Sequence, residues 1–105
     1  MPDVDILFGA VKVDGTRDHG SNGWSSEFLS VGKYKVTFNN RFEKTPSIVV
    51  TTERPGVSGS RAPIIPEIVL TSDATRRGVF EVNFRTDDGT TSSTQFNFIA
   101  IAKDD

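Results

Sequence analysis

The chain has 105 residues, of which 35% are hydrophobic and 25% charged, and a formal net charge of -2. That length fits one domain with one core, toward the small end of the stable range, where self-association would add core. No block of like charges marks a nucleic-acid partner, and the absence of cysteine excludes disulfides and cysteine-based zinc or iron–sulfur sites.

The N-terminal stretch Met1-Pro2-Asp3-Val4-Asp5 is acidic and no long apolar run follows it, so neither a Sec signal nor a membrane span is expected. Cellular location is otherwise open. Eight Phe residues stand against one Trp and one Tyr. Phe, Val, Ile and Thr suit a pleated, half-buried surface, whereas helix-filling residues are sparse.

Residues 4–13 are apolar and read as a first strand, ended by the turn signal Asp14-Gly15. Residues 14–23 form a polar stretch read as a loop, and residues 24–31 a second strand, broken by Gly32. Residues 33–38 carry the clearest signal: Tyr34, Val36 and Phe38 alternate with Lys33, Lys35 and Thr37, as in a strand with one wet face. Asn39-Asn40 turns the chain, and Pro46 leads a strand over residues 47–52.

Residues 53–63 form the longest expected loop. Residues 64–71 carry Pro66 and so read as an edge strand. After a turn over 72–78, residues 79–85 alternate, with Phe80, Val82 and Phe84 on one face. Residues 86–94 read as a polar hairpin loop. Residues 95–102 close the domain, with Phe96, Phe98, Ala100 and Ala102 on one face and Ile99 and Ile101 on the other. About seven strands at this spacing describe an antiparallel β-sandwich. The outer side of a sandwich strand should be wet. Something must therefore cover Ile99 and Ile101: a partner subunit, or a loop of the same chain.

Catalytic signatures are missing. There is one histidine, His19, no nucleophile elbow, no phosphate-cradling glycine loop and no recognisable carboxylate pair in a cleft. The chain is read as a binding protein rather than an enzyme, with no cofactor and no metal; Asp87-Asp88-Gly89 looks only faintly like a calcium turn. Two loop clusters are candidate binding sites. Asp14, Arg17, Asp18, His19 and Trp24 combine a planar aromatic with charged groups, as sugar recognition needs. In the alternative, Trp24 begins a strand and packs in the core. Arg54, Arg61, Asp87 and Asp88 form the second cluster, since arginine makes forked contacts to carboxylates or vicinal hydroxyls. They read equally as solvated loop charges.

Gly32-Lys33-Tyr34-Lys35-Val36-Thr37-Phe38, then Phe42, then Pro46-Ser47-Ile48-Val49-Val50 reads as G-x-Y-x-V-x-F…F…P-x-V-V-V. Gly78-Val79-Phe80-Glu81-Val82 and Phe96-Asn97-Phe98-Ile99-Ala100-Ile101-Ala102 follow. This pattern resembles the H-type lectin domain and related bacterial and phage tail-fibre tip domains. The resemblance implies an antiparallel sandwich that assembles as a homotrimer and binds a glycan or cell-surface receptor through its loops. It also implies an early-loop Asp next to Gly, here Asp14-Gly15, and a central arginine, here Arg61. Where those lectins carry a Trp-His pair, this chain reads Arg85-Thr86-Asp87-Asp88, and Trp24 and His19 lie in a different loop. The runner-up function is a structural trimerisation or tip module of a fibre, without a small ligand.

Overall fold

The computed structural model describes residues 3–40, 42–53, 64–69 and 77–104. Eight strands run through them: β1 Asp3–Val11, β2 Arg17–Gly20, β3 Trp24–Ser30, β4 Lys33–Phe38, β5 Ser47–Glu53, β6 Ile64–Val69, β7 Val79–Thr86 and β8 Gln95–Asp104. They form two four-stranded sheets, ordered β2-β1-β8-β5 and β3-β4-β7-β6. Every pairing is antiparallel. The protein is an all-β sandwich, as the alternation in its sequence requires.

The alternating positions make the core. Tyr34, Val36 and Phe38 of β4 and Phe80, Val82 and Phe84 of β7 face Phe96, Phe98 and Ala100 of β8 across the interior, and all are buried. The rings pack mostly edge to face, Phe80 on Phe98 at 5.5 Å and Tyr34 on Phe96 at 5.2 Å between centroids. That geometry brings the positive edge of one ring to the negative face of the next. Tyr34 also places its hydroxyl, which donates to the Val13 carbonyl at 2.6 Å and so ties the end of the first sheet to the second.

Two connections differ from the sequence reading. Residues 14–23 are not wholly loop, because β2 lies within them and pairs with β1, Ala10 opposite His19. This polar edge strand is held by backbone bonding and leaves no apolar alternation to read. Residues 86–94 do not join paired neighbours, because β7 and β8 lie in opposite sheets. The chain turns tightly, the Thr86 amide donating to the Thr90 carbonyl, bridges Arg85 to Thr91, and then crosses the core edge. Facing inner surfaces such as Phe84 and Phe96, 5.1 Å apart, draw the two strands together across the interior rather than side by side. Pro66 sits as expected, in β6 at the edge of its sheet.

The two outer faces differ. On the outer side of β1, β8 and β5, Phe8 stands opposite Ile99, which stands opposite Val49, and Ile6 stands opposite Ile101. These side chains are 42–58% exposed. No described segment covers them.

Candidate functional site

The sandwich has two ends. At the Val13 end lie the β1–β2 turn, the β3–β4 turn and the β7–β8 connection. The Gly32 amide donates to Ser93 Oγ at 3.0 Å there, and Val11 is paired with Phe96. At the Phe42 end lie the β2–β3 connection and residues 39–40 and 42–46 after β4. There the Asn39 amide donates to the Gly23 carbonyl at 2.8 Å and the Phe42 amide to the Arg77 carbonyl at 2.9 Å.

Asp14, in the β1–β2 turn, and Asp87 and Asp88, in the β7–β8 connection, share the Val13 end, as separate loops of a sandwich can. Their carboxylates are occupied differently. Asp14 accepts from the Thr16 amide at 3.0 Å and from the Thr16 hydroxyl at 2.6 Å. The hydroxyl contact, then the amide, holds its pKa below the ordinary aspartate value. Asp88 accepts from the Thr86 hydroxyl and the Thr90 amide, which lower its pKa to about 2. Both carboxylates stabilise the turns they sit in. Asp87 is exposed. Gly15 is buried with φ +89, and a Cβ there would meet the Phe28 backbone nitrogen at 2.4 Å, so its role is to let the turn close. Arg54 and Arg61 lie outside the described residues. Asp14 and Asp18, with Lys12, Val13 and Gln95, line a shallow open hollow.

Trp24 is a core residue, not a stacking platform. Its ring is 4% exposed, packs edge-on against Phe98 at 4.9 Å and donates its indole N–H to the Phe8 carbonyl at 3.0 Å. Gly9 makes the room, since a Cβ there would lie 2.0 Å from the ring. Arg17 covers the other side, its guanidinium 4.5 Å from the ring centroid while donating to the Gly20 and Ser21 carbonyls at 2.8 and 2.7 Å. The cluster around Trp24 thus joins β1, β2 and β3. His19 projects from it, 70% exposed, 3.9 Å from Asp18.

A second cavity, at the Phe42 end, is lined mainly by residues that sequence reasoning assigned to the first strand, to the 14–23 loop and to the Asn39-Asn40 turn. Asp5, Ile6 and Leu7 of β1, Asn22 and Gly23, and Asn40 and Phe42 enclose a half-open cleft of about 280 Å³. Two turn asparagines and an N-terminal aspartate, each in a different segment, are the only signal the sequence offers, and it does not reveal that they meet. Among the described residues, no three histidine, aspartate or glutamate side chains come together as a metal site would require.

Comparison of the chain with protein-family models, with curated proteins and with solved structures found no match in any of the three.

Proposed function

We propose that this domain is a binding module that works as a homo-oligomer, a trimer, and recognises glycans or another cell-surface receptor. The observation that carries the assembly is the apolar outer face of β1, β8 and β5: Ile6, Phe8, Val49, Ile99 and Ile101 in adjoining register. A continuous patch of this kind, on the two central strands and one edge strand of a sheet, has the composition of an interface. A small sandwich gains most from covering it with a copy of itself. The trimeric state and the glycan ligand come from the resemblance to H-type lectin and fibre-tip domains. Repeated copies of a weak glycan site, held together, raise avidity well beyond that of one site.

A structural fibre-tip module is the second reading, and a specific observation favours it: Asp14 and Asp88 are engaged in their own turns and Trp24 in the core. A glycan array probed with the intact protein separates the two. Retention of a defined set of glycans supports the first reading; a blank array alongside an assembled trimer supports the second.

A further inference from the structure

We propose that the cleft at the Phe42 end is a binding site for a single neutral sugar residue; this rests on the glycan-recognition reading above and assigns it a place in the fold. The cleft is walled by three separate segments. Asp5 and Leu7 come from β1, where Asp5 is paired with the buried Ala102 and so shares the inner side of the sheet. Asn22 and Gly23 come from the β2–β3 connection, and Asn40 and Phe42 from the segment after β4. A backbone bond ties two of these walls together, Asn39 amide to Gly23 carbonyl, and the Phe42 amide anchors its segment to the Arg77 carbonyl just before β7. Phe42 is itself locked edge-on against Phe38 at 5.1 Å. The site is therefore held in shape before any ligand arrives, which lowers the ordering cost of binding.

The lining chemistry selects the ligand. Partly buried Leu7 supplies an apolar wall of the kind that packs on the C–H face of a sugar ring, while Phe42, 5% exposed, belongs to the core behind the cleft. Asp5 offers only acceptors; Asn22 and Asn40 each offer an acceptor and two donors. Hydroxyl groups both donate and accept, so a polyol meets all three. Among the described residues these three side chains have no hydrogen-bond partner, while Asp14, Arg17, Ser21 and Asp88 all do. The volume, about 280 Å³, stands at the lower edge of the roughly 300–1,000 Å³ typical of small-ligand sites, which suits one ring rather than an enclosed chain. A single carboxylate beside two neutral amides suits a neutral sugar better than a polycation. Ile6 lies at the rim and also belongs to the apolar outer face, so the cleft adjoins the surface proposed to carry the neighbouring copy.

The test is titration of the isotopically labelled full chain with neutral methyl glycosides (glucoside, galactoside, mannoside and the two N-acetylhexosaminides), followed by amide NMR, with putrescine as a cationic control. At least one glycoside should give saturable shifts at the Asn22 and Asn40 side-chain amides and at the Gly23 and Phe42 backbone. The double variant Asn22→Ala/Asn40→Ala should weaken that glycoside at least about ten-fold with an unchanged melting temperature. Shifts confined to residues 12–18 and 87–95 would overturn the cleft site and leave the glycan reading standing. No shift from any glycoside, with a blank glycan array, would overturn both. Shifts at the cleft from putrescine alone would make Asp5 a cation contact and overturn the sugar assignment.

Discussion

On the outer face of β3, β4 and β7, Glu27, Lys35 and Glu81 stand side by side, with Lys33 and Asn83 in the next row and Glu67 beyond them on β6. On the outer face of the other sheet, the corresponding rows are Phe8, Ile99 and Val49, then Ile6, Ile101 and Ser47. Both faces sit on strands with the same pairing and the same alternation, and both have a buried inner side. The charged rows are at home in water, with opposite charges alternating across the strands. The aliphatic rows gain nothing there. One outer face thus carries mostly charged and polar rows suited to solvent, and the other carries the aliphatic rows proposed above to meet another copy.

The sharpest way to break that contrast is to move charge from one face to the other. Ile99→Asp would bury an unpaired carboxylate in the proposed interface, at a cost of several kcal/mol, and should weaken assembly roughly a thousand-fold. The isolated subunit should keep its fold, because position 99 is wet in the single chain. Sedimentation velocity reads both outcomes. Lys35→Ala on the charged face should leave the sedimentation coefficient alone and change stability by no more than about 0.5 kcal/mol.

Inner-face substitutions sharpen the same contrast by striking the single chain. Trp24→Ala removes the ring beneath Arg17 and the donor to the Phe8 carbonyl. It should cost about 3–5 kcal/mol in denaturant unfolding. Tyr34→Phe leaves the buried ring in place but strips the Val13 carbonyl of its 2.6 Å donor. It should cost about 1 kcal/mol. Burial raises the Tyr34 pKa, against the opposing effect of Ser93, so the phenol stays protonated and donating well into the alkaline range.

The smallest effect concerns the Val13 end. Asp88 has a folded pKa of about 2, below the roughly 3.9 of an unfolded aspartate. Its contribution to stability is therefore fully present above about pH 4 and is lost as pH falls from about 4 toward 2. Asp88→Asn should flatten that part of the urea midpoint's pH profile. Asp14, lowered by the same kind of contact with Thr16, should add a slope of the same sign, removed by Asp14→Asn.

Much of the fold was legible because a period of two survives in the sequence wherever one strand face is buried. Residues 33–38, 79–85 and 95–102 each display it, and each became a strand with the expected inner side chains. The edge strand β2 was not legible, because Arg-Asp-His-Gly pairs through backbone alone. Nor was the crossing from β7 to β8, since alternation specifies which side is buried but not which sheet the strand joins. The candidate site was less readable still. Asp14, Asp88 and Arg17 are residue types that bind ligands and also residue types that close turns; only their hydrogen bonds distinguish the two uses. Asn22 and Asn40 read as turn residues, and their meeting with Asp5 depends on three segments converging.

The proposed contact face of β1, β8 and β5 can be tested without any substitution or ligand, by the mass of the wild-type protein in solution. Multi-angle light scattering at micromolar concentration should return about three times the 11.5 kDa chain mass. A clean monomer across that range would contradict the account, leaving Ile6, Phe8, Val49, Ile99 and Ile101 exposed with no copy to cover them.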